Sequence, residues 1–352
     1  MTERDSALPP DVHETVVTVG TFDGVHRGHQ DVLARLVQRS RALETRSILV
    51  TFDPHPLEVV NPAAAPPLLT VGDEKLEVLA ESGIDYVAII PFTRALAAFD
   101  AERFVDEVLV ERYRVRHLLM GHDHGFGRNR AGDESVLRAL GEGRGFTVEV
   151  VEPVTGAHGQ PVSSTAIRRA VAGGDLERAR EGLGRWYAVG GRVVRGEQRG
   201  RLLGFPTINV PLPSPRKLLP PQGVYAVRVQ TPLGPFGGML NLGPRPTFDD
   251  AGVTLEAHLF EAEGDFYGMR VRIDFLRRLR DTVRFDTPQA LVAQLAVDER
   301  ADRSTEVPAE PPHARHHLAC GARSRGCRGR SRGPEYRARP ETGARCASAL
   351  RS

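Results

Sequence analysis

The chain has 352 residues, long enough for two domains that each bury a core, and its 40% apolar and 26% charged residues are those of a soluble globular protein. Residues 304–352 carry 10 Arg and 4 acidic residues, which leaves 37 basic against 41 acidic residues in the remainder, too little positive charge for a nucleic-acid-binding domain. No run of 18 apolar residues marks a membrane span and no basic-then-apolar leader marks export, so a cytoplasmic protein with no nucleic-acid and no membrane partner is expected.

Cys320, Cys327 and Cys346 all lie beyond residue 304, so the folded part should have neither thiol chemistry nor disulfides. Of the 47 basic residues only Lys75 and Lys217 are lysines, a bias read here as GC-rich coding with no mechanism attached.

Residues 1–14 read as a disordered N-terminus. From 15 to 183, strand-like runs at 16–20, 47–53, 86–92, 117–121 and 147–153 alternate with helical patterns at 29–43, 73–82, 101–113 and 133–143. That alternation predicts an α/β domain, a parallel sheet covered by helices on both faces, with ligands at the carboxyl ends of its strands. The loops at those ends gather Asp23, His26, Asp53, His55, His122, Asp123 and His124.

In "GTFDGVHRGH", residues 20–29, a helix starting near Gly28 would aim unpaired N–H groups at the loop, an arrangement that attracts phosphate. His26 and His29 can hydrogen-bond triphosphate oxygens as charge builds during displacement at the α-phosphorus. A helical zinc pair would need spacing i, i+4 with Glu between, whereas here the spacing is three and Arg27 and Gly28 intervene.

After residue 184 the pattern changes to period-two runs at 188–196, 223–232, 236–243, 254–260 and 269–276, which predict a small antiparallel barrel or sandwich over 184–303. A helix at 287–303, with Leu291, Val292 and Leu295 on one stripe, would close it. Residues 304–352 have few large apolar side chains to offset ordering entropy and read as a disordered Arg/Gly/Pro-rich tail.

Within 196–213 there is no G-x-x-x-x-G-K-[ST] phosphate loop, but Gly200, Gly204 and Pro206 specify a rigid, close-approach backbone. Thr207 and Asn209 stand one alternation apart on an extended strand, a hard oxygen pair suited to Mg²⁺. In 254–260, Leu255, Ala257 and Leu259 share one side, so Glu256 and His258 face the other, toward a cleft.

Residues 20–29 resemble the G-x-F-D-G-x-H-x-G-H signature of nucleotidyltransferases. With "GHDHGFGRNRAGD" at 121–133 and "VSSTAIRRAV" at 162–171, the first half resembles the FMN adenylyltransferase module of bacterial FAD synthetases. "GRLLGFPTIN" at 200–209 resembles the riboflavin kinase signature G-R-x-x-G-F-P-T-A-N, with Ile208 in place of Ala, and the later runs follow that family in order and spacing.

The resemblance implies a Rossmann-like nucleotidyltransferase domain over 15–183 and a riboflavin kinase barrel with a C-terminal helix over 184–303. It implies ATP, riboflavin and FMN as partners, flavins as substrates and products, and Mg²⁺ with ATP. For the first domain it implies His26, His29 and Arg168 as catalytic and Gly20, Phe22, Asp23, Gly24, Asp123, Ser163, Ser164 and Thr165 as nucleotide- or phosphate-binding. The three hydroxyls read as helix N-caps, with Arg168 on the first turn gripping a β- or γ-phosphate. His55 could reach a phosphate or the flavin.

For the second domain the resemblance implies nucleotide contacts from Gly204 and Pro206, metal binding by Thr207 and Asn209, and Glu256 as general base for the riboflavin 5′-hydroxyl. The chain departs from the pattern at His124, where Phe is usual, at Trp186 and Thr282, and from Ser304 onward. Competing readings are an adenylyl- or cytidylyltransferase with another acceptor, and a non-enzymatic RNA-binding or scaffold protein in which the tail is the working part; metal chelation by the tail is a further reading. The cysteine spacing of that tail matches no tetrahedral finger.

Overall fold

Five apolar-rich runs pair in parallel in the computed structural model, which describes residues 8–121, 133–156, 159–196, 204–244, 253–283, 290, 293, 294 and 297. β1 (Thr15–Val19), β2 (Arg46–Asp53), β3 (Tyr86–Pro91), β4 (Val115–Gly121) and β5 (Thr147–Val151) lie in the order β3-β2-β1-β4-β5. Val17, Val19, Ile48 and Val50 enter one core, while Val16 and Leu49, on the alternate face, enter another. A parallel sheet is stable only with both faces covered. α1 (Arg27–Ala42) and α3 (Asp73–Ala80) supply Leu33, Leu36 and Leu79 to the second core. Phe104, Val105, Val108 and Leu109, with Leu137 of α6 (Glu134–Arg144), fill the first.

The helix expected at 101–113 begins as α5 (Ala101–Phe104) and then winds as a π-helix over Val105–Arg112, where Tyr113 N–H reaches back to Val108 O at 3.1 Å. A 3.6-residue reading does not foresee that winding. α2 (Pro56–Val60) and α4 (Arg94–Ala97) are too short to leave a period in the sequence. Residues 8–14 differ from the disorder expected of 1–14. Val12 is buried, its carbonyl accepts from Arg114, and Leu8 packs on the first core, so apolar burial ties this segment down. Residues 1–7 lie outside the described residues.

The second half forms an antiparallel sheet of β6 (Tyr187–Arg192), β7 (Thr207–Pro211), β8 (Gly223–Thr231), β9 (Gly234–Pro244), β10 (Val253–Leu259) and β11 (Arg270–Arg280), in the order β6-β11-β8-β9-β10-β7. The sheet curls until Val194 N–H donates to Asn209 O at 2.8 Å, tying edge strand β7 to the segment after β6. Ala290, Ala293, Gln294 and Val297 are helical, and the rest of the expected closing helix and the tail lie outside the described residues.

One core crosses the expected boundary at residue 183. α7 (Ser164–Gly173) and α8 (Leu176–Leu183) put Ile167, Val171, Ala179 and Leu183 into the same cluster as Tyr187, Tyr225 and Phe275 of the barrel, and Leu69 joins them from the first half.

Candidate active sites

The turn between β1 and α1 is wound tightly. Phe22, Gly24 and Val25 take φ of 45°, 81° and 40°, and a Cβ on Gly24 would stand 2.7 Å from Leu69 Cδ1. Glycine is required there by both conformation and space. Gly20 N–H continues the strand ladder to Val50 O at 3.0 Å.

Asp23 is 3% exposed and faces protein donors. Its Oδ1 accepts from Leu69 N at 2.9 Å and Thr70 N at 3.0 Å, and its Oδ2 accepts from Arg168 Nη2 at 2.9 Å. Thr70 Oγ1 accepts from Gly24 N at 3.0 Å, and Ser164 Oγ donates to Asp23 O at 2.9 Å. The buried Arg185 guanidinium closes the turn from outside, donating to Gly24 O at 2.7 Å and Val25 O at 3.0 Å.

His26 is the N-cap of α1, its Nδ1 accepting from His29 N at 3.4 Å, and its ring stacks on His29 with centroids 3.7 Å apart. Phe22 backs His29 at 4.5 Å. Burial pushes the His26 pKa down to about 4, against the opposing pull of Asp23. A neutral imidazole that accepts at Nδ1 carries its proton on Nε2, so His26 is a fixed donor with no charge of its own.

Ser163 caps α7 by accepting from Ala166 N at 3.2 Å. Thr165 is exposed and caps nothing, and Arg168 sits in the second turn of α7, one turn later than expected. With Nη2 on Asp23, Arg168 still has a buried Nε with no hydrogen-bond partner among the described residues.

A cleft of about 450 Å³ opens at the strand ends between Thr21, Asp53, His55 and Lys75 of the first half and Gly190, Ser214 and Arg216 of the barrel. Lys75 Nζ donates to Thr21 O at 2.5 Å and Thr51 Oγ1 at 2.7 Å, and burial lowers its pKa to about 8. His55 caps α2, with Nδ1 accepting from Leu57 N at 3.2 Å, and burial lowers its pKa as well. His122, Asp123 and His124 lie outside the described residues.

In the barrel, strand register assembles a second set of polar side chains. Asn209 of β7, Glu256 of β10 and Asn241 of β9 are directly opposite one another across two antiparallel ladders, and Thr207 opposes His258 one step away. Directly paired residues share a face, and the alternate residues Val210, Leu240, Leu242, Leu255 and Ala257 fill the core, so the three stand together on the outward face. Thr207 Oγ1 donates to Glu256 Oε1 at 2.7 Å. A Cβ on Gly196 would lie 2.3 Å from Asn209 Nδ2, so the chain before the signature packs directly on that amide. Gly204 and Pro206 form the turn into β7, and Pro206 O takes a hydrogen bond from His258 Nδ1 at 2.8 Å. A second cleft, about 440 Å³, begins beside Thr207 and runs along Val193, Pro206, Phe266 and Tyr267.

An FAD synthetase family profile matches residues 8–166 and a riboflavin kinase profile matches residues 183–305. A protein of Escherichia coli K12 named bifunctional riboflavin kinase/FMN adenylyltransferase is 40% identical over 290 residues, covering 82% of this chain and 91% of that protein. The chain belongs to the bifunctional riboflavin kinase/FMN adenylyltransferase family. A member from Pseudomonas fluorescens is 39% identical over 302 residues, 86% of this chain and 96% of its own. A solved structure described as a macrolide-efflux protein from Streptococcus pneumoniae aligns with TM-score 0.75 and 28% identity, over 86% of this chain and 97% of that one. Its name speaks for that protein alone. No helix among the described residues is long and apolar enough to cross a membrane.

For this family member the oxygen set of Thr207, Asn209 and Glu256 suits a hard divalent ion, which takes hydroxyl, amide and carboxylate oxygens. Reading by motif did not find Thr70, Lys75, Arg185 or Asn241. None stands at a diagnostic spacing, and each reaches its place through a long-range contact or a strand register.

Proposed function

We propose that FMN receives its adenylyl group at the turn that carries His26 and His29, of which Thr21 and Asp23 line the first cleft, and that riboflavin is phosphorylated at the row of Thr207, Asn209, Glu256 and Asn241. The observation that carries the reading is the stacked imidazole pair at the N-terminus of α1, which sets a neutral imidazole at a helix end suited to phosphate.

In the first reaction an FMN phosphate oxygen attacks the α-phosphorus of ATP, the α–β bridging P–O bond breaks, and pyrophosphate leaves. His26, His29 and the helix N-terminus stabilise the charge that develops on the phosphate oxygens. The unengaged part of the Arg168 guanidinium holds a β- or γ-phosphate. His55, fixed as a helix cap at the cleft wall, lies where a phosphate or flavin passes.

In the second reaction the riboflavin 5′-hydroxyl attacks the γ-phosphorus, ADP leaves, and Glu256 accepts the hydroxyl proton. The Thr207 hydroxyl orients that carboxylate. Mg²⁺, held by Thr207 and Asn209, would neutralise phosphate charge when ATP is bound. ATP, riboflavin and FMN are the partners, and the cytoplasm, where these are made and used, is the compartment this reading requires.

Chromatographic separation of flavins after incubation with ATP and Mg²⁺ tests the proposal. Riboflavin should yield FMN and then FAD, FMN should yield FAD, and chelation of the divalent ion should stop both. ATP consumption without a flavin product would defeat the reading.

A further inference from the structure

Of the two lysines of this chain, Lys75 is half-buried and Lys217 is fully buried. Lys217, in the segment between β7 and β8, has a side chain 1% exposed, and its ammonium donates to three acceptors at 2.7 Å each: Leu69 O, Glu74 Oε2 and Ala188 O. Two of those acceptors belong to the first half of the molecule. Glu74 returns across the same seam, taking Gly190 N–H of β6 on Oε1 at 2.7 Å and Val71 N–H on Oε2 at 3.2 Å. Three acceptors around one point match the tetrahedral donors of an ammonium, whereas the flat fork of a guanidinium cannot meet them. A coding bias toward arginine therefore accounts for the exposed basic residues but not for this one.

What lies on the far side of Leu69 gives the contact its significance. The amides of Leu69 and Thr70 hold Asp23, Asp23 holds Arg168, and Thr70 holds Gly24. A continuous chain of hydrogen bonds thus runs from the barrel, through Lys217 and the 69–70 backbone, into the turn that carries His26 and His29. Lys217 makes none of its hydrogen bonds to Thr207, Asn209, Glu256 or Asn241.

We propose that Lys217, paired with Glu74, is a positioning residue for adenylyl transfer: the kinase half of the chain holds the 69–70 segment under Asp23 and so fixes the geometry of the other half's active site. The dependence runs one way, because kinase chemistry uses side chains that the latch does not touch. The inference rests on the proposed location of adenylyl transfer.

The test uses the full chain with Lys217→Met, the double variant Lys217→Met/Glu74→Met, and His29→Ala in parallel. FMN-to-FAD and riboflavin-to-FMN kinetics are measured together with thermal midpoints. In Lys217→Met, kcat for FAD formation should fall at least tenfold while kcat and KM for riboflavin phosphorylation stay within twofold. The double variant has no unpaired buried charge and should regain thermal stability yet keep the low FAD-forming kcat. If both activities fall in proportion, or if the double variant recovers FAD formation along with its thermal midpoint, Lys217 is a structural prop and the inference is overturned. Should Lys217→Met fail to fold, the double variant decides alone. Unimpaired FAD formation by His29→Ala would instead displace the adenylyl-transfer site itself, a result distinct from either outcome at Lys217.

Discussion

Arg168 Nη2 donates to Asp23 Oδ2 at 2.9 Å, joining two motifs that lie 145 residues apart in the chain. The carboxylate is 4% exposed at its side chain and the guanidinium 16%, so removing either charge leaves the other buried without its ionic partner. The aspartate of the first motif is thus a fastener, and the arginine of the third is aimed by it.

Asp23→Asn keeps the shape of the side chain but removes its charge. Breaking a buried pair on one side costs about 3 kcal/mol. We expect a lower urea midpoint and at least a tenfold loss of FAD formation, with riboflavin phosphorylation unchanged at temperatures where the variant is folded. Equal activity in both reactions would contradict the role given to the pair.

His29→Ala and Glu256→Gln should separate the two chemistries. The first is expected to lower FAD formation by about 10²-fold or more, as removal of a transition-state hydrogen-bond donor does. The second should lower FMN formation by about 10²- to 10⁴-fold, the usual contribution of a general base. Each should spare the other reaction, measured with FMN supplied in the first assay and riboflavin in the second. A single variant that abolishes both would argue against two independent sites.

Acid should loosen the fold through His26. Its pKa is held at about 4 by burial against 6.5 for the free side chain, so between these values the unfolded chain binds a proton that the native state refuses. The contribution to stability is complete above pH 6.5 and is lost as pH falls toward 4, amounting to about 3 kcal/mol. Urea midpoints at pH 7.0 and 4.5 should differ less in His26→Gln than in the parent. An unchanged difference would remove His26 as the cause.

Asn241 stands beside Glu256 in the strand register, on the face that carries Asn209. Its truncation to Ala should reduce riboflavin phosphorylation by about tenfold, equivalent to 1.4 kcal/mol of transition-state stabilisation, and leave FAD formation from added FMN intact. A kinase rate within twofold of the parent would show that Asn241 only fills the row.

Much of the architecture is legible in the chain itself. The five strand runs of the first half appear within a few residues of their expected bounds, because a strand buried on both faces must be continuously apolar and its flanking helices must be amphipathic. The alternation in 254–260 likewise foretells that Glu256 faces away from Leu255 and Ala257. The π-winding at Val105–Arg112 and the packing of Val12 leave no such trace, since both depend on what lies against them.

Motif reading could name His26, His29, Thr207, Asn209 and Glu256 because local spacing fixes which side chains share a helix end or a strand face. The amino-acid sequence by itself thus determined the two folds, their order and the chemistry available to each. Tertiary structure alone decided that Asp23 turns inward to amides at 69 and 70, that Arg185 and Lys217 reach back across the seam, and that Asn241 joins Glu256. Those outcomes come from hydrogen bonds closed over tens to hundreds of residues. Their partners are selected by the satisfaction of buried polar groups once the cores have formed, and no short window of sequence contains both ends of such a bond.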